Sequence, residues 1–248
     1  MEIVLNWKME KSHLEEILWC KENKEELIKL STNNHFFILC PSFTSLQTIK
    51  EIFDKSEIEI GAQNCSQYLL GSHTGQVSAK SLKEIGCLYC IIGHSETRTE
   101  LNENYYQIAK KTKALISQHI NPIICIGETR EEKDKNLTLD ALAQQLEPIV
   151  QEIINLNVKE IIFAYEPVWA IGSGNTPLAS EIYEITKWVK MYLKVTLPEV
   201  KTKVLYGGSI SSRNIDELKN IFDLDGFLIG KASLDIQEIK KIVTSKGK

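Results

Sequence analysis

The sequence predicts an α/β protein built as one closed (β/α)8 barrel over residues 1–248. Three features predict it. Short apolar, β-branched runs alternate with longer stretches of helical periodicity along the chain. Several runs are near-continuous hydrophobics with no polar alternation, the mark of strands covered on both faces and so of a parallel sheet. Eight such runs in 248 residues match a closed barrel, which takes roughly 250.

In order, the runs are Ile3 to Trp7, Phe36 to Cys40, Ile58 to Ala62, Cys87 to Ile92, Pro122 to Ile126, Ile161 to Tyr165, Lys203 to Tyr206 and Gly226 to Ile229. Between them, Leu139, Leu142, Leu146, Ile149 and Ile153 recur at helical steps, as do Ile182, Ile185, Val189 and Tyr192. Pro148 interrupts the first set, so a kink or a second segment is expected there. A doubly wound open sheet is the alternative, but no G-x-G-x-x-G comes after the first run. No linker or low-complexity tract divides the chain, and the tail from Thr244 to Lys248 is expected to fray.

Composition narrows the function. Lys and Arg number 29 and Asp and Glu 33, for a formal net charge of −4. This mild acidity argues against bulk binding to nucleic acid or acidic membrane, yet leaves room for a locally positive cleft. The opening MEIVLNWKMEKSH is too charged after its short apolar run for a signal peptide, and no stretch approaches the roughly 20 apolar residues of a membrane span. A cytoplasmic protein is expected. The six cysteines show no disulfide framework and should be reduced thiols. Cys87 and Cys90 form a lone C-x-x-C without a second ligand pair, and the five histidines never pair with carboxylates at ligand spacing. No metal and no cofactor are therefore expected.

Barrel active sites sit at the C-terminal ends of the strands, so the residues just past each run should carry the chemistry. The first run leads to Asn6 and Lys8, the fourth to Gly93-His94-Ser95-Glu96, and the sixth to Glu166-Pro167-Val168-Trp169 and a Gly-rich stretch through Gly172 and Gly174. The seventh leads to Gly207-Gly208-Ser209 and the eighth to Gly230-Lys231. One catalytic carboxylate, one imidazole and one ammonium thus face three loops rich in Gly and Ser. Such loops let backbone N–H groups approach an anion, and a phosphate cradle after the last two strands is expected. Ser95 reads as a helix N-cap, and Cys125 before Gly127 and Glu128 as structural.

Asn6-Trp7-Lys8, Ile92-Gly93-His94-Ser95-Glu96, Ala164 to Gly172, Tyr206-Gly207-Gly208-Ser209 and Ala232-Ser233-Leu234 resemble, in order, the signature segments of the triosephosphate isomerase family. The resemblance runs from the first strand to the last helix. It implies the TIM barrel and the interconversion of dihydroxyacetone phosphate and D-glyceraldehyde 3-phosphate through an enediolate, in glycolysis and gluconeogenesis. It further implies Glu166 as the base, His94 as the neutral imidazole polarising the carbonyl, and Lys8, supported by Asn6, as the electrophile. Glu96 matches a carboxylate that orients Lys8. Gly172, Ser209, Gly230 and Lys231 match positions whose amides hold the phosphate, and Pro167 to Gly174 reads as a lid that keeps water from the enediolate.

The segment from Gly61 to Ala79 resembles the family's long third loop, which docks into a partner subunit, with Thr74 near the partner's site. A homodimer is implied. Three residues depart from the family pattern. Gln76 stands where glutamate is usual and Thr97 where arginine is usual, so a charged contact across the dimer becomes a neutral one, and no charge is left alone. Lys231 replaces a glycine; its amide survives, and its side chain either points outward or adds positive potential.

Three rivals remain at this level: another phosphate-handling barrel, a scaffold that keeps only the shape, and a metal-dependent aldolase. Retention of Asn6, Lys8, His94 and Glu166 together argues against the scaffold.

Overall fold

The computed structural model describes residues 1–31, 35–171 and 176–247. Its strands are β1 (Glu2–Asn6), β2 (Phe36–Cys40), β3 (Glu59–Ala62), β4 (Tyr89–Ile92), β5 (Asn121–Ile126), β6 (Glu160–Tyr165), β7 (Lys201–Tyr206) and β8 (Gly226–Ile229). They pair in parallel in sequence order and close as a barrel. The closing pair runs in register from Glu2 against Gly226 to Leu5 against Ile229. Every predicted run overlaps a strand, though Trp7, Ile58, Cys87 and Leu88 lie outside β1, β3 and β4. The mismatches are at the edges: β6 and β7 begin on Glu160 and Lys201, polar starts that an apolar pattern cannot show.

Each strand leads into helix, from His13–Ser31 after β1 to Ile236–Thr244 after β8. Thr138–Ile153 runs through Pro148 as one helix, so the second segment expected there does not form. Its buried stripe is Leu142, Leu146, Ile149 and Ile153, joined by Gln145, whereas Leu139 in the first turn is exposed.

Strand alternation sorts the apolar residues into two cores. Val4, Ile38, Ile91, Ile123, Ile162 and Leu205 form a cluster inside the barrel. Ile3, Leu5, Phe37, Phe163 and Phe227 face outward, in one cluster with helix residues such as Leu27, Leu142 and Val189. At the strand starts, away from the site, Lys203 Nζ reaches Glu2 Oε1 at 2.6 Å and Glu160 Oε1 at 2.7 Å, tying β7 to β1 and β6.

The tail is docked, not frayed. Lys219 Nζ donates to the carbonyls of Val243 at 2.9 Å and Ser245 at 2.6 Å. Lys248 lies outside the described residues. All six cysteines are buried and unbridged. Among the described residues, no helix is long and apolar enough to cross a membrane.

The β1–β8 seam has no room to spare. A Cβ at Gly226 would lie 2.0 Å from the backbone oxygen of Glu2, an atom fixed in the barrel. Gly226→Ala should therefore destabilise the fold by about 2–3 kcal/mol, the upper range for overpacking, as a lowered urea midpoint. An unchanged midpoint would show that the seam can relax.

Candidate active site

The predicted residues converge at the C-terminal ends of the strands. Asn6 ends β1, His94 and Glu96 come after β4, Glu166 after β6, and Gly230 after β8. Glu166 is 1% exposed and His94 5%. Glu166 Oε1 lies 3.4 Å from His94 Nε2. On the other side of the ring, the Glu96 backbone N–H donates to His94 Nδ1 at 3.3 Å. A nitrogen that accepts carries no proton, so a neutral His94 carries its hydrogen on Nε2, facing Glu166. The cap of the helix Ser95–Glu100 is thus His94 itself, and Ser95 is its first residue, not its cap.

Glu96 passes the chain of contacts onward: its Oε1 binds Lys8 Nζ at 2.6 Å. Lys8 has a left-handed backbone, φ 52°, which costs a non-glycine residue roughly 1–2 kcal/mol. Two hydrogen bonds hold it there. Its N–H donates to Asn6 Oδ1 at 3.1 Å, and its carbonyl accepts from Gln63 Nε2 at 2.7 Å. The Lys8 side chain runs beside Gly230, where a Cβ would sit 3.4 Å from Lys8 Cε.

Glycines let the neighbouring strand ends close on Glu166. A Cβ at Gly207 would lie 2.6 Å from Glu166 Cγ, and one at Gly127 would lie 1.8 Å from the Glu166 carbonyl oxygen. Glu166 Oε2 is buried with no hydrogen-bond partner among the described residues.

Ser209 Oγ donates to the carbonyl of Ala170 at 2.8 Å, so the loop after β7 touches the predicted lid. Lys231 is exposed. Gly172 and the lid's far half, 172–175, lie outside the described residues.

Glu128, Tyr165 and Gln63 were not singled out for roles by the sequence. Glu128, 1% exposed, accepts from Trp169 Nε1 at 2.7 Å and from the Tyr165 hydroxyl at 3.2 Å. Its carbonyl accepts from Val168 N at 3.0 Å, so this residue anchors the start of the lid. Lys133 Nζ stands 4.0 Å from the centroid of the Trp169 ring. The Gly127-Glu128 pair after the fifth strand was the available signal.

A closed parallel barrel with a carboxylate, an imidazole and an ammonium gathered at the C-terminal rim has the architecture of a barrel enzyme. The family model for triosephosphate isomerase matches residues 1–246. The chain is 35% identical to the triosephosphate isomerase of Dictyoglomus turgidum over 246 residues, 98% of each protein. It is 38% identical to that of Wolbachia sp. subsp. Brugia malayi over 242 residues, 97% of this chain and 95% of that one. For the enzyme of Endomicrobium trichonymphae the figures are 35% over 240 residues, 96% and 95%. The chain belongs to the triosephosphate isomerase family, and it is an isomerase.

Burial pushes the Glu128 carboxyl above its ordinary range, against the opposing donation from Trp169, its own N–H and Tyr165. A carboxyl raised in the fold binds more protons there than when unfolded, so its ionisation lowers stability as pH rises through the window just above the usual glutamate value. Glu128→Gln should flatten that fall in urea titrations taken from about pH 4 upward, and an unchanged slope would assign the fall to other groups.

Proposed function

We propose that this isomerase uses Glu166 as its base, with His94 and Lys8 as the electrophilic wall, in one barrel domain over residues 1–248. The reaction interconverts dihydroxyacetone phosphate and D-glyceraldehyde 3-phosphate, the isomerase step of glycolysis and gluconeogenesis. The reading is carried by one observation: a buried carboxylate with an uncommitted oxygen, 3.4 Å from an imidazole whose other nitrogen is occupied by a backbone N–H.

Glu166 takes a proton from the carbon bearing the hydroxyl; the C–H bonding pair forms a carbon–carbon double bond, and the carbonyl π pair moves onto its oxygen. His94 Nε2–H donates to that oxygen, and the Lys8 ammonium stabilises the enediolate charge. Glu166 then returns its proton to the neighbouring carbon while His94 relays the hydroxyl proton. Atoms and electrons balance within the substrate, so the scheme has no cofactor and no metal. A pocket closed to water keeps the enediolate from side reactions. Glu96 orients Lys8, and Asn6 fixes its backbone turn. Backbone amides at Gly172, Ser209, Gly230 and Lys231 hold the phosphate, which the lid then covers.

We place the enzyme in the cytoplasm as a homodimer, joined through the segment Gly61 to Ala79. Its ends belong to β3 and to the helix Ala79–Ile85, so the docking loop itself is residues 63–78. Large apolar side chains support the assembly: Met9 is 93% exposed, and Leu70 and Leu101 are also exposed. A cavity of about 320 Å³ lies between Gly75, Gln76, Thr97, Leu101, Glu103 and Lys111. Within one chain, Gln76 accepts from Ser66 Oγ at 2.6 Å and the Thr97 hydroxyl donates to Glu103 at 2.6 Å. Both departures from the family pattern therefore have hydrogen-bond partners at home.

Glu166→Gln should lower kcat by at least about 10³-fold in a coupled assay, and a loss under tenfold would remove Glu166 from its role. Gln76→Glu alone should weaken assembly in sedimentation, and adding Thr97→Arg should restore it. Two independent, uncoupled effects would overturn the neutral-contact reading.

A further inference from the structure

Gln145 is 2% exposed on the buried stripe of the helix Thr138–Ile153, among Leu142, Leu146 and Ile149. A primary amide in that setting is costly unless every polar atom is hydrogen-bonded. Both ends of this one are committed to a single residue. Its Oε1 accepts from Gly127 N–H at 2.9 Å, and its Nε2 donates to the Gly127 carbonyl at 3.0 Å. Arg98 Nη1 reinforces the clamp, donating to the same carbonyl at 3.1 Å and to Gln145 Oε1 at 3.2 Å. The amide orientation is fixed by its partners, oxygen to N–H and nitrogen to carbonyl.

Gly127 is the peptide against which Glu166 is seated. No side chain fits between them, since a Cβ at Gly127 would lie 1.8 Å from the Glu166 carbonyl oxygen. The residue before it, Ile126, accepts the Glu166 N–H at 2.7 Å. The residue after it, Glu128, anchors the lid through Val168 and Trp169. A shift of Gly127 is therefore passed to the carboxylate and to the lid at once.

We propose that Gln145 is a positioning residue for the isomerisation, acting through Gly127 to set where Glu166 meets the substrate carbon and where the lid begins. This rests on Glu166 being the base. Gln145 touches neither substrate nor Glu166 directly, so its loss acts on transition-state geometry more than on ground-state binding.

The test uses the whole enzyme with Gln145→Met, which keeps the volume and removes both hydrogen bonds. Leu146→Ala on the same stripe is the control for loosened packing. Gln145→Met should lower kcat about tenfold, because small misplacements of reacting groups are that expensive. KM should stay within about twofold, and inorganic phosphate released per turnover should rise as the enediolate escapes a less well seated lid. Leu146→Ala should lower the urea midpoint at least as far while kcat holds within about twofold. If Gln145→Met does not fold, Gln145→Glu keeps the oxygen facing Arg98 and carries the same measurements. A kcat within about twofold of wild type, or an equal kcat loss in the control, overturns the proposal. Glu166→Gln run alongside separates the failures: if that variant keeps its activity, the base assignment falls. If it is inactive while Gln145→Met is unimpaired, only the positioning role falls.

Discussion

The site depends on bringing a carboxyl group to the end of a strand and leaving no slack around it. Glu166 N–H closes onto the carbonyl of Ile126 at 2.7 Å, continuing the β5–β6 ladder one residue past the strand. Gly127 and Gly207 then come so close that neither could carry a Cβ without displacing Glu166. The barrel is what makes this possible. Strands closed in register place their last residues around one rim, and the carboxylate is fixed by neighbours on both sides.

From that point the electrostatics run as one connected line. Glu166 meets His94, His94 caps a helix through Glu96 N–H, and Glu96 binds Lys8. The carboxylate of Glu96 also lies 3.5 Å from His94 Nδ1, and by charge alone would favour a proton there. The backbone N–H is nearer and aimed at the same nitrogen, while the carboxylate is neutralised by Lys8 at 2.6 Å. Geometry therefore selects the tautomer that points its hydrogen toward Glu166.

The barrel was legible because its signal is local. A run such as Phe36 to Cys40 is apolar throughout, whichever face each residue takes, and β2 has those same bounds. The gathering of Glu166, His94 and Lys8 at one rim was legible because each lies just past the end of a strand. Glu128 and Gln145 were not, for a physical reason. Their contacts are made with partners 41 and 18 residues away, Trp169 and Gly127; Glu128 had only its place beside Gly127 after the fifth strand to mark it, and Gln145 had nothing to set it apart from any helix glutamine. Even the missed helix cap has this character, since Ser95 has the right chemistry for a cap but His94 has the geometry.

Lys8 shows how the proposed assembly and the chemistry share atoms. Its left-handed backbone is held from one side by Asn6 and from the other by Gln63, whose Nε2 donates to the carbonyls of both Lys8 and Cys40. Gln63 is the first residue beyond β3, where the docking loop begins. Further along, that loop is tied back by Ser66 N–H to Val77 O at 2.7 Å and to the body of the barrel by Lys111 Nζ to Asn64 Oδ1 at 2.8 Å. The left-handed turn at Lys8 and the root of the proposed docking loop thus share one side chain, Gln63, so the backbone that carries the Lys8 ammonium is held partly by the segment proposed to form the interface.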